Sequence, residues 1–337
     1  MSKPKYPAYL CLSEKQWDEK LQKSKELASP CVLCGRRCRV MRFGNTESTT
    51  GRPSKKAETA EDSITADFAE SKAGSVRPAI GVCRTGDKAV VSSFGPHFGE
   101  EPPLVGTRGS GTIFFSNCNL RCIFCQNYDI AHFDRGHEVT DDQLGRLMLR
   151  VQEMGCHNVN LVSPTHVVPS ILSAVRWAAG QGLNIPLVYN TGGYDSIETI
   201  SLLDGVIDIY MPDMKYGEAE SAREFSMAPD YPEVNFAAVK EMHRQVGDLV
   251  IDEKGLALRG LLVRHLVLPE KAAGTEKVMK FIAEEISRDT YVNIMDQYRP
   301  YYKAAGHPVL GRRVTFREYR AALKTAAKAG LTRVQAL

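Results

Sequence analysis

From residue 111 onward the sequence alternates between two kinds of pattern. Short β-type runs, "GTIFFSN", "NVNLVSP", "IPLVYNT", "IDIYMPD", "LLVRHLVLP" and "YVNIMDQ", are separated by segments that are mostly helical in periodicity. Six strands alternating with helices predict right-handed βαβ units and a parallel sheet, hence an α/β class. An open doubly wound sheet and a partial barrel both fit that count. The helix signals are local and physical. In "TDDQLGRLMLRVQEMG", Thr140 and Gln143 form a capping box, Leu144, Leu147, Met148, Val151 and Met154 make one apolar face, and Gly155 closes the helix. "NFAAVKEMHRQVG" and "TEKVMKFIAEEIS" repeat the arrangement. No G-x-G-x-x-G or G-x-x-x-x-G-K-[ST] loop follows a strand, so neither nucleotide-loop reading is supported. Each run ends in polar residues, and in parallel α/β folds the site lies at that carboxyl edge.

The chain of 337 residues is 43% hydrophobic and 25% charged, enough for one large domain with appendages. With 43 basic against 40 acidic residues, the net charge of +3 is too even to indicate nucleic acid or a membrane surface as the main partner. No apolar run reaches the roughly eighteen residues of a membrane span. The start, "MSKPKYPAYLCLSEKQWDEK", lacks the apolar core of a secretory signal, so the expected location is cytoplasmic. Residues 1–44 hold a helix, capped by Ser13 and Gln16, and a cysteine-rich segment. Residues 45–78 carry little to bury and read as a disordered or loosely helical insertion. Residues 79–110 connect, 111–310 form the core, and 311–337 read as a C-terminal helix.

Nine cysteines are present, seven of them in two tight sets, with Cys11 and Cys156 apart. In a non-secreted chain such clustering indicates metal binding rather than disulfides. Cys31, Cys34 and Cys38 of "CVLCGRRC", with Cys83, supply four thiolates, enough to close a zinc site or an auxiliary iron–sulfur cluster. The knuckle-like glycine turn leans toward zinc, and the expected role is to tie the N-terminal segment to the core. The second set, Cys118, Cys122 and Cys125 in "SNCNLRCIFCQN", stops at three. Three thiolates on a [4Fe-4S] cluster leave one iron open, and an open position marks a metal that binds something exogenous.

That loop, "CNLRCIFC", resembles the C-x3-C-x2-C motif of the radical S-adenosylmethionine (radical SAM) enzymes. Together with "PHFGEEPP", "NLVSPTH", "VYNTGGYDS", "YMPDMKYG", "VRHLVLP" and "QYRPYYKA" it is similar to the pyruvate formate-lyase activating enzyme-like branch over roughly residues 79–310. The resemblance implies a partial (β/α)6 barrel. It also implies S-adenosylmethionine chelated at the open iron, and reductive cleavage to a 5′-deoxyadenosyl radical that abstracts hydrogen. It implies cluster ligation by Cys118, Cys122 and Cys125, with Phe124 beside the adenine. Asn190 and Thr191 resemble the third-strand Asp-Thr, with Asn190 in place of the Asp and the Thr retained, and Asp213 and Lys215 resemble the fourth-strand Asp-x-Lys, Lys215 pairing the methionine carboxylate. Arg264 does similar work or orients the ribose, while His265 beside it points to the other face. The family's Gly-Gly-Glu motif is lacking, leaving Ser163, Thr165 or His166 at its position. No acid–base residue is named, because the cofactor supplies the radical. The implied partners are an electron donor such as a flavodoxin or ferredoxin, and a substrate. Two outcomes stay open: a glycyl radical installed on a protein, or modification of another macromolecule or small molecule. A non-catalytic iron–sulfur or zinc-binding scaffold is the alternative of another class.

Overall fold

The computed structural model describes residues 7–43, 81–133 and 135–336, so the insertion expected at 45–78 lies outside the described residues. The strands are β1 (Ala89–His97), β2 (Ser110–Phe115), β3 (His137–Val139), β4 (Val159–Val162), β5 (Leu187–Thr191), β6 (Ile209–Pro212), β7 (Val250–Ile251), β8 (Ala257–Leu266), β9 (Tyr291–Met295) and β10 (Arg333–Ala336). They form one sheet in the order β10-β9-β8-β6-β5-β4-β2-β1-β3, with β7 pairing β8 off this path. The six runs read from the sequence are β2, β4, β5, β6, β8 and β9, and they lie side by side and parallel. The sheet ends at β10 and β3 instead of closing, as a partial barrel requires.

The parallel strands are buried on both faces, which is why they read as near-continuous apolar runs. One face, with Ile113, Leu161, Tyr189, Tyr210 and Val263, packs under the helices in the main core. The other face is narrower. Val188, Ile209, Met211 and Leu262 meet Leu104, which comes from the short helix Pro102–Val105 and plugs the inside of the sheet. The antiparallel β1 delivers that plug by running back along β2 to the pair His97 and Ser110.

The capping boxes at Ser13 and Thr140 form as the sequence indicates. The C-terminal segment differs from expectation. Its helix, Phe316–Ala329, stops at Gly330, whose φ of +83° suits a residue without a Cβ, and the chain then adds β10 in parallel to β9. The β-type run "TRVQA" was too short to signal a strand on its own.

His265 is fully buried, with Nδ1 2.7 Å from the Met214 carbonyl and Nε2 2.9 Å from Thr275 Oγ1. It is the packed histidine its strand position indicates. Burial drives its pKa down to about 4, partly opposed by the Met214 bond. An unfolded histidine titrates near about 6.5. Between those values only the unfolded chain takes up the proton, so stability falls as pH drops through that window. The expected contribution is roughly 3 kcal/mol lost between about pH 6.5 and 4. Urea midpoints measured across that range should fall more steeply for the wild type than for His265→Gln, and equal slopes would refute the linkage.

Candidate iron–sulfur and cofactor site

The three-cysteine loop leaves β2 through Asn117, whose φ of +72° is a left-handed conformation that asparagine tolerates. Helix Ala219–Ser226 holds the loop by its last carbonyls: Arg121 N donates to Ser226 O at 3.4 Å and Ile123 N to Phe225 O at 2.9 Å. Asn119 Nδ2 donates to the Tyr194 carbonyl at 2.9 Å, and Arg36 Nε to the Asn119 carbonyl at 2.9 Å. The sulfurs receive hydrogen bonds of the kind that tune clusters: Leu120 N donates to Cys118 Sγ at 3.4 Å, and Ser226 Oγ to Cys122 Sγ at 3.0 Å. Burial, then repulsion from Cys122, pushes Cys118 to about 11, and the same causes, with Cys118 added, push Cys125 to about 12. Thiols placed so are inert until a metal displaces the proton. Lys215 and Arg121 supply positive charge beside Cys118, which suits an anionic cluster. The donor set therefore fits a [4Fe-4S] group with one open iron.

Phe124 is buried beside these cysteines, edge-on to Tyr298 and Tyr216 at 5.7 and 6.5 Å between centroids. Asp213, at the end of β6, stands between two cations: Lys215 Nζ is 2.5 Å from Oδ2 and Arg264 Nε is 2.9 Å from Oδ1. Burial alone would push the Asp213 carboxyl up, but Arg264 and then Lys215 outweigh it and hold it below the ordinary range. Arg264 also donates to Asn190 Oδ1 at 2.7 Å. So Asn190, Asp213, Lys215 and Arg264 are brought together on the inner face of the sheet.

Thr191 is not part of that group. Its hydroxyl donates to Asp195 Oδ2 at 2.7 Å, while Thr165 and Tyr189 donate to Oδ1 at 2.7 and 2.9 Å. Asp195 is fully buried, and this network fixes the "TGGYD" turn. Gly193 within it has φ +76°, and a Cβ there would lie 2.2 Å from the Asp213 carbonyl, so only glycine lets the turn press against β6. Thr165 and His166 likewise serve the fold: His166 Nε2 sits 2.9 Å from the Ser116 carbonyl. Sequence reasoning left Glu100, Glu101, Asp195, Asn119 and Ser226 unassigned. The paired carboxylates before two prolines, just after a β-type run, were the one available signal.

Cys31, Cys34, Cys38 and Cys83 also come together. Cys31 feels the charge of Cys38 and Cys83, Cys34 that of Cys83 and Cys31, and a Cβ on Gly81 would lie 2.7 Å from Cys38 Sγ. Arg42 Nη2 donates to Cys83 Sγ at 2.9 Å. Among the described residues, no three His, Cys, Asp or Glu side chains are arranged to hold a single metal ion. Tetrahedral zinc would need sulfurs about 3.8 Å apart, given Zn–S near 2.3 Å. Thiolates on different irons of a cluster stand farther apart, so the lean toward zinc finds no support here. The set touches the three-cysteine loop, because Asn119 bonds Cys34 and Arg121 feels both Cys118 and Cys83.

No helix among the described residues is long and apolar enough to cross a membrane. The radical SAM superfamily profile matches residues 112–253. The uncharacterized protein MJ0674 of Methanocaldococcus jannaschii is 35% identical over 261 residues, covering 74% of this chain and 70% of that protein. The crystal structure of HydG, a maturase of the [FeFe]-hydrogenase, is 14% identical at a TM-score of 0.43, over 65% of this chain and 49% of that one. This chain thus spans about half of HydG, a likeness too loose to carry an argument. The profile match encloses the three-cysteine loop and the Asp213 and Lys215 pair, and the superfamily's enzymes use a [4Fe-4S] cluster with S-adenosylmethionine. This chain belongs to the radical SAM superfamily.

Proposed function

We propose that this protein is an enzyme that binds a [4Fe-4S] cluster and S-adenosylmethionine and abstracts a hydrogen atom from a substrate. The observation that carries this is the three-thiolate loop beside an organised set of strand-end polar groups. The bound cofactors supply the electron and the 5′-deoxyadenosyl radical, and the protein's part is placement and exclusion of water. Cys118, Cys122 and Cys125 would hold the cluster, Phe124 would lie beside the adenine, and Lys215 would face the methionine carboxylate with one of its three donors while keeping Asp213. Asn190 and Arg264 brace Asp213. Thr191 acts at one remove, by positioning the glycine turn.

The activating-enzyme-like motifs favour a glycyl radical on a protein partner as the finer reading, with an external one-electron donor of the flavodoxin or ferredoxin kind. Modification of another substrate is the rival within the class. We extend the reading to Cys31, Cys34, Cys38 and Cys83 as ligands of a second centre that anchors the N-terminal segment against the cluster loop. Anaerobic reconstitution with iron and sulfide, followed by assay for 5′-deoxyadenosine, tests the reading. A protein that holds the cluster but never forms that product is a scaffold.

Lys215→Ala should weaken S-adenosylmethionine binding by about 1–3 kcal/mol, the scale of a charged hydrogen bond. That is roughly five- to over a hundredfold in affinity. Cluster content should not change, since the residue lies outside the cysteine loop. Lys328→Ala, on the exposed side of the C-terminal helix, is the control. Equal effects at the two positions, or none at Lys215, would show the Asp-x-Lys assignment to be wrong.

A further inference from the structure

The turn that plugs the inside of the sheet carries more than Leu104. Glu100 and Glu101 precede it and project among the strands. Glu100 Oε2 is 3.6 Å from Arg264 Nη1, and its carboxyl also takes a hydrogen bond from Asn160. Glu101 Oε1 accepts from Asn293 Nδ2 at 3.0 Å, and Asn293 is the in-register partner of Arg264. Four residues from the plug and two strands, β4 and β9, thus make one connected group against Arg264 on β8.

This group has more acceptors than donors. Glu101 Oε2, Asn160 Oδ1 and Asn293 Oδ1 are buried with no partner, in residues 5%, 0% and 5% exposed. The Asn160 amide cannot be turned to cure this. The Leu104 carbonyl accepts from Asn158 Nδ2 at 2.9 Å, which fixes Asn158 Oδ1 as the acceptor of the Ser110 hydroxyl at 2.7 Å. Ser110 Oγ must then accept from Asn160 Nδ2 at 3.1 Å, so Asn160 Oδ1 is left over. The Asn293 amide is fixed in the same way by the carboxylate it serves. Charge shows the same imbalance: Asp213, Glu101 and Glu100 all face Arg264, Lys215 serves Asp213, and burial raises the Glu100 carboxyl to about 7, so its charge is only partly developed without a further cation. Unpaired buried acceptors are costly and rare, and each calls for a donor from outside the chain.

We infer that this group is a subsite for a primary ammonium group of the substrate, whose positive charge and N–H donors answer its excess of acid and of unpaired acceptors. The inference rests on the proposed enzymatic reading for the word substrate, though not for the binding itself. A divalent metal fits poorly, since the Arg264 guanidinium stands at 3.6 Å from Glu100 and two of the three unpaired oxygens are neutral amides. The ammonium of S-adenosylmethionine is the nearer rival. Asn160 lies two residues below Val162, the in-register partner of Asn190. At roughly 3.3 Å per residue that is about 7 Å beneath the Asn190 layer, away from the cluster loop.

The test is calorimetric binding to the reconstituted holoprotein with saturating S-adenosylmethionine, using n-butylammonium, its neutral analogue 1-butanol, and magnesium ion. The expected result is butylammonium binding at least tenfold tighter than the alcohol, unaffected by millimolar magnesium, and weakened tenfold or more in Glu101→Gln. That variant keeps the acceptor for Asn293 and changes only the unpaired oxygen. Glu100→Gln, on the other side of Arg264, should weaken the ammonium in the same direction. Affinity for S-adenosylmethionine should stay within about twofold of wild type in both variants. Equal binding of alcohol and ammonium, or none of either, overturns the inference in favour of ordered water. Displacement by magnesium overturns it in favour of a metal. A parallel loss of S-adenosylmethionine affinity assigns the acceptors to the cofactor and overturns it as well. Failure of the enzymatic reading is separate, because it shows as absent 5′-deoxyadenosine in wild type whatever the amine does.

Discussion

Replacing Cys118, Cys122 or Cys125 singly with serine should reduce 5′-deoxyadenosine formation to background. Each thiolate would hold a different iron, and among the described residues no spare cysteine lies in this loop. Outer-shell changes around metal ligands typically cost about ten- to a hundredfold, so loss of a ligand should exceed that. Ser226→Ala provides the graded comparison. It removes the hydroxyl that donates to Cys122 Sγ at 3.0 Å but leaves every thiolate in place, so cluster content should persist while the reduction potential falls. Iron and sulfide content, the visible spectrum and product formation are the measurements. Normal product from any of the three serine variants would show the ligand assignment to be mistaken.

The parts of this molecule that were legible in the sequence share a cause. Parallel strands buried on both faces carry enough apolar residues to be seen singly, and all six β-type runs became neighbouring parallel strands. Capping boxes are legible because both partners lie within three residues, as Ser13 with Gln16 and Thr140 with Gln143 do. The cysteine loop is legible because its three cysteines lie within eight positions of one loop. What failed to show was whatever depends on distant partners. β10 is a short run that becomes a strand only because β9 offers it an edge. Thr191 looked like a cofactor contact until Asp195 took its hydroxyl, and nothing local marks Asp195 as buried. Glu100 and Glu101 were visible as a pair, but their meaning comes from Arg264, Asn160 and Asn293 on other strands. Cys34 and Asn119, 85 positions apart, show the same limit. Spacing suggested metal in both cysteine sets, yet only the folded chain shows that the sets adjoin.

That adjacency changes how the N-terminal segment is understood. Arg36 reaches the Asn119 and Ser226 carbonyls, at 2.9 and 3.0 Å, so it spans the loop and the helix that supports it. Arg121 leaves the loop in the other direction, donating to the Val82 carbonyl beside Cys83. Residues 7–43 therefore brace the three-cysteine loop as well as covering the barrel. Damage at Cys31 or Cys83 would reach the three-cysteine loop through these arginines, without touching its thiols.

The largest expected effect on stability lies at Asp213. Asp213→Ala should destabilise the protein by about 3–5 kcal/mol, the usual cost of removing one partner from a buried ion pair. Arg264 and Lys215 are only 17% and 18% exposed at their side chains, so neither can regain full hydration by swinging out. Glu100 at 3.6 Å from Arg264 is the nearest substitute, and burial keeps it near its own titration point, about 7, so it replaces Asp213 only in part. The turn itself should survive, because its backbone is held separately: Tyr231 and Asn235 donate to the Asp213 carbonyl at 2.8 and 3.0 Å. Lys215→Ala should cost much less, since Asp213 keeps Arg264, and this contrast separates structural from cofactor roles at one site. Acid supplies a second reading. The folded carboxyl is held below its unfolded value of about 3.9, so its contribution is complete above that pH and is lost as pH falls through the folded value. Asp213→Asn should lack that acid limb while losing stability at neutral pH. Urea midpoints at pH 7 and below pH 4 measure both effects. A cost under about 1 kcal/mol for Asp213→Ala at pH 7 would mean that the two cations are hydrated in solution and that the ion group does not organise the strand ends.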